Sequence, residues 1–229
     1  MKKIIKNMIL ISLQLLTFNL CFAESNFEIA NKYYDEDKRN VEVPNISLYD
    51  YFERSCHSHK YEIALEYFGE KITFKQLLEK IDLCARSLIC YGVRENDVVT
   101  IMMPNTPEAV IAFYAVNKIG AVANMVHPLS SELELKESLI TTKSVLLIAV
   151  NIAYDKINNI IDDTKIYKTV LVSPKDSMPK IMNLLYTLTK DLKNRIPKSN
   201  EKMIYWNDFM ARGKSYDKDV FIPRKKDDE

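Results

Sequence analysis

The chain has 229 residues, 47% hydrophobic and 28% charged, a balance that excludes wholesale disorder and suffices for one compact domain with a sizeable core. Its 32 basic residues stand against 31 acidic ones, so no net field draws it onto nucleic acid or an anionic membrane. The only glycines are Gly69, Gly92, Gly120 and Gly213, too widely spaced to form a glycine-rich phosphate loop.

Residues 1–23 have the layout of a secretory signal. Lys2, Lys3 and Lys6 precede an apolar run from Met8 to Leu20, and Cys21-Phe22-Ala23 offers a cut before Glu24. As a helix that run would span about 20 Å, short of the roughly 30 Å of a bilayer's hydrocarbon. The same layout fits an apolar N-terminal segment that is never processed. Beyond it lie Cys56, Cys84 and Cys90, an odd number without disulfide-like spacing. Reduced thiols of this kind fit a cytoplasmic chain, with export or membrane association through residues 1–23 as the alternative. Residues 24–44 read as a polar lead-in, 45–222 as the folded domain, and 223–229 as a polar connector.

From Asn45 onward, helical and extended patterns alternate. Ile46, Tyr49, Phe52 and Cys56 recur at helical spacing and predict a helix over Ser47–Ser58. Glu62–Phe68 alternates and, with Gly69-Glu70 and Lys71–Thr73, predicts a short hairpin. Thr73 and Gln76 form a capping box for a helix whose apolar stripe runs from Phe74 to Leu88, with Gly92 as its stop. Asp97–Met103 reads as a strand buried on both faces. Thr106 is placed to cap the next helix, with Pro107 at its first position and Glu108 beside the positive end of its dipole. Ala109–Ile119 is apolar almost all round, Gly120 ends it, and Ala121–Val126 returns as a strand. Ser131 and Glu134 then predict a second capping box. A helix to about Thr142 follows, then a strand over Val145–Val150, a helix over Ile152–Asp163 and a strand over Thr169–Ser173. A further helix is predicted over Pro179–Leu192. This alternation predicts an α/β fold with a mostly parallel sheet covered on both faces.

General chemical motifs are sparse. Cys56-His57-Ser58-His59 is the only cluster of metal-ligand types, and no second pair completes a four-coordinate site. His127-Pro128 follows a strand, where open α/β sheets place ligand loops, but a structural turn before Pro128 explains it better than a catalytic histidine does. Asp162-Asp163 reads as a helix end rather than a catalytic pair. Nucleophile elbows, zinc-protease helices and dinucleotide-binding turns are absent from the 229 residues. On these grounds no catalytic, cofactor-binding or metal residue is assigned.

A more specific pattern lies in the order of several phrases. Ala64–Gly69 followed by Lys71-Ile72-Thr73-Phe74-Lys75-Gln76-Leu77 resembles the opening motif of AMP-forming acyl and aryl ligases. Gly92-Val93, Asp97–Ile101 and Pro104-Asn105-Thr106-Pro107-Glu108 continue in that family's order. Asn117–Val122 with Pro128 is similar to its second core motif. Lys32–Asp35, Leu48–Phe52 and Met203–Phe209 look most like the bacterial fatty-acid-CoA ligase branch. The resemblance runs from about Asn31 to Glu229 and implies the incomplete N-terminal part of the adenylate-forming fold. In that family ATP, Mg²⁺ and coenzyme A serve a two-step reaction, acyl-adenylate formation and then thioester formation. Its phosphate loop, ribose aspartate and catalytic lysine have no counterpart in this sequence. The resemblance therefore implies an inactive fragment of a fatty-acid-CoA ligase, whose partners would be the remainder of the ligase or a second copy through exposed core. The alternatives are a fragment of an aryl-CoA ligase or peptide-synthetase adenylation domain, or a non-catalytic exported or membrane-associated module reusing the fold.

Overall fold

The computed structural model describes residues 43–179, 182–184, 199–225 and 227–228. The chain divides into Met1–Pro44 and Asn45–Glu229, and every described helix and strand lies in the second unit. The signal-like segment 1–23 and most of the helix expected over Pro179–Leu192 lie outside the described residues.

Helix α1 (Leu48–Ser58) starts where Ser47 accepts the Asp50 amide, and the hairpin of β1 (Ile63–Tyr67) and β2 (Glu70–Thr73) follows. Its turn needs positive φ at Phe68 and Gly69 (+51° and +84°), which the glycine supplies without strain. Helix α2 (Phe74–Cys90) begins with the expected Thr73–Gln76 capping box. It ends at Tyr91, and Gly92 takes the left-handed conformation beyond it.

The main sheet contains β3 (Val98–Met102), β4 (Val122–Met125), β5 (Leu146–Val150), β6 (Lys168–Val172) and β7 (Met203–Tyr205). Its spatial order is β4-β3-β5-β6-β7, and every neighbouring pair is parallel. Helix α3 (Pro107–Lys118) carries the chain from β3 outward to β4, whereas α4 (Glu132–Thr141) carries it back across β3 to β5. Right-handed crossovers in opposite directions place these helices on opposite faces. Helix α2 packs against both α3 and the C-terminal α6 (Trp206–Gly213), forming one layer, while α4 packs against α5 (Tyr154–Ile160). All five residues of β5 are buried, as expected for a central strand covered on both sides.

Two elements differ from the sequence reading. The helix expected over Ile152–Asp163 is broken into a 3-10 turn (Asn151–Ala153), α5, and a second 3-10 turn (Ile161–Asp163). Neither end has a side-chain cap, and the hydrogen bonding tightens there instead. The phrase Met203–Phe209, noted above only for its resemblance, forms both β7 and the first turn of α6.

Candidate functional site

The strand order places the topological switch point between β3 and β5, because the chain leaves β3 in one direction and returns in the other. Open parallel sheets bind ligands at the carboxyl ends of the strands flanking such a point. Met102 of β3 lies level with Ala149 of β5, so the segment Met103–Thr106 and residue Asn151 emerge side by side there. Thr106 caps α3 through the Ala109 amide, fixing Glu108 in the first turn.

Glu108 is almost completely buried, at 1% exposure. One carboxylate oxygen accepts the Ser177 hydroxyl from the segment beyond β6. The side chain is therefore aimed across the end of β5, toward the loop after β6. Its second oxygen and the side-chain oxygen of buried Asn151 have no hydrogen-bond partner among the described residues. Asp176 closes this loop on itself by accepting the Ser173 amide at 2.8 Å. On the far side of β3, Lys156 of α5 donates to Ser130 O at 2.5 Å and to Pro128 O at 3.4 Å, fixing the loop after β4. Glu108 in the first turn of α3 and Asn151 after β5 thus place buried acceptors at these strand ends. The hydroxyl–carboxylate pair here, Ser177 with Glu108, has its carboxylate shut away from solvent.

The residues flagged in the sequence are dispersed. Cys56 is buried, and desolvation, with Glu53 nearby, pushes its thiol up to about 11. His59 instead faces outward, 2.9 Å from Glu62. The two do not converge, and no group of metal-ligating side chains occurs among the described residues. His127 accepts the Leu129 amide through Nδ1 at 3.2 Å, an arrangement that closes a turn. Asp162 pairs with Lys202, and Asp163 with Lys136 at 2.6 Å, so the adjacent carboxylates hold separate surface ion pairs. The burial and orphaned oxygens of Glu108 and Asn151 were not visible in the sequence. Thr106-Pro107-Glu108 gave the helix start, but nothing local indicated contact with Ser177, 69 positions away.

The segments carrying the resemblance are scaffold in this structure. Asn117 accepts the Tyr49 amide at 2.7 Å, and Lys118 donates to Asp82 at 2.8 Å while lying 5.1 Å over the Tyr49 ring. These contacts lock α1, α2 and α3 together. Gly69, Gly92 and Gly120 serve turns with positive φ, and Gly213 serves a helix contact; none lies in a phosphate-cradling loop.

Comparison with known proteins agrees with this geometry. A long-chain-fatty-acid–CoA ligase of Bacillus subtilis is 27% identical over 165 residues, covering 72% of this chain and 30% of the ligase. An acetyl-coenzyme A synthetase of Psychromonas ingrahamii is 35% identical over 104 residues, 43% of this chain and 15% of the synthetase. An anthranilate CoA ligase crystallised with anthranoyl-AMP superposes with a TM-score of 0.60 at 18% identity, covering 74% of this chain and 29% of its own. The chain thus spans about a third or less of the length of these proteins. The model of the AMP-binding enzyme family matches residues 52–208, most of the folded unit, and the chain belongs to that family.

Proposed function

We propose that this chain is the N-terminal scaffold portion of an ATP-dependent ligase that joins a long-chain fatty acid to coenzyme A. The observation that carries the acid class is the match to the Bacillus subtilis long-chain ligase, which extends over 72% of the chain. Acetyl-coenzyme A synthetases and an anthranilate CoA ligase share the fold or parts of the sequence, so an acetyl or aryl acid is the second reading.

The chemistry of such a ligase needs donors around the α-phosphate and a divalent cation to offset charge developing on the phosphoryl oxygens. The described residues do not fit those groups. They hold no group of metal-ligating side chains, and the buried Glu108 carboxylate puts an acceptor at the strand ends where a phosphate would need donors. No step of adenylate formation is therefore assigned to a residue of this chain. Its part is to build the parallel sheet and fix the loops after β3, β5 and β6 against one another. On this reading the protein works in the cytoplasm.

The scaffold role is tested by a chimera in which residues 45–222 replace the matched segment of the Bacillus subtilis ligase. We expect a folded enzyme that forms acyl-CoA from palmitate. A chimera that folds but forms no acyl-CoA contradicts the proposed role.

A further inference from the structure

The loop after β6 is closed on itself as one tight unit. The Ser173 amide donates to Asp176 Oδ2 at 2.8 Å, the Asp176 amide to Ser173 O at 3.0 Å, and the Met178 amide to Lys175 O at 3.1 Å. Three elements remote in sequence reach it. The Tyr67 hydroxyl of the hairpin donates to Pro174 O at 3.4 Å, and Asn207 of α6 donates to Asp176 at 3.5 Å, both long for hydrogen bonds. The third is Glu108 of α3, which accepts the Ser177 hydroxyl in a charge-assisted bond, the stronger kind.

Packing alone does not account for a carboxylate at position 108. The residue is 1% exposed, its second oxygen has no partner among the described residues, and a buried acceptor without a donor is destabilising. The first turn of α3 offsets part of that cost, because the positive end of the helix dipole favours a carboxylate there. An apolar side chain would fill the space with no such penalty. What it could not supply is an acceptor for Ser177. That bond also crosses the candidate site: α3 follows β3, Ser177 follows β6, and the end of β5 lies between those two strands.

We infer that Glu108 is a positioning residue, which acts through Ser177 to fix the loop 173–178 over the carboxyl ends of β5 and β6. Open parallel sheets meet their ligands at that end, so the bond sets the shape that this end presents. The inference goes beyond the scaffold reading and its readout does not depend on catalysis.

Amide hydrogen exchange tests it on the full 229-residue chain, compared with Glu108→Ala, Glu108→Gln, Ser177→Ala and the double alanine variant. In both single alanine variants we expect the amides of Ser173, Asp176 and Met178 to exchange about tenfold or more faster, with those of β5 unchanged. The double variant should be no faster than either single one, because both changes remove the same bond. Glu108→Gln keeps a carbonyl oxygen to accept the Ser177 hydroxyl, so it should stay within about threefold of the unaltered chain. Should Glu108→Ala fail to fold, Ser177→Ala breaks the bond from the half-buried side and decides alone. Unchanged loop exchange in Ser177→Ala overturns the inference. So does Glu108→Gln exchanging as fast as Glu108→Ala, and so does equal acceleration in β5, which would make the contact part of general packing. A confirmed effect in a chain whose ligase chimera forms no acyl-CoA upholds the inference and counts against the scaffold reading alone.

Discussion

Single residues in this domain are used for packing more than for chemistry, and the thiols illustrate it. Cys84 and Cys56 are both fully buried, and desolvation raises both thiols, while Tyr49 is raised by burial and by its hydrogen bond to Glu53. A raised folded-state value means the native chain holds these protons more tightly than the unfolded chain. The stabilisation is complete below about pH 9, the ordinary thiol value, and is lost as pH rises toward about 11 for Cys56. We expect the denaturant midpoint to fall across that window, and to fall less steeply in Cys56→Ala. A midpoint independent of pH from 9 to 11 contradicts the burial of these groups.

At the scale of elements, what could be read from the sequence depended on whether the signal was local. Both capping boxes, the proline start of α3 and the buried runs of β3 and β5 are written in neighbouring residues, and the structure shows each of them. Strand β7 has only three residues and exists through its ladder with β6, so no local period announced it. The interruption of the Ile152–Asp163 helix was hidden for a related reason, since its buried faces keep helical spacing through the 3-10 turns. Gly213 was read only as an isolated glycine. A Cβ there would press on Leu83 O and lie 2.5 Å from Ser87 Oγ, where α6 crosses α2. Gly213→Ala should therefore cost about 1–3 kcal/mol, measured by denaturant unfolding, through separation of the two helices. An unchanged stability would show that α6 is not seated on α2.

The candidate site was the least legible part, because it is a property of the whole molecule. The switch point arises from strand order, and Glu108 is met by a loop 69 residues away. The family was easier to recognise than the site because its phrases, such as Asn117-Lys118 and Thr73–Gln76, are local and build the scaffold. The whole domain supplies a parallel sheet and positioned loops, while the described residues supply no donor set for a nucleotide triphosphate. The central proposal is that this chain supplies N-terminal architecture of an adenylate-forming ligase and no step of its chemistry. Acid-dependent ATP–pyrophosphate exchange by the purified 229-residue chain tests it most directly. The account predicts background exchange with palmitate, acetate and benzoate alike. Exchange that rises with any of these acids would contradict it.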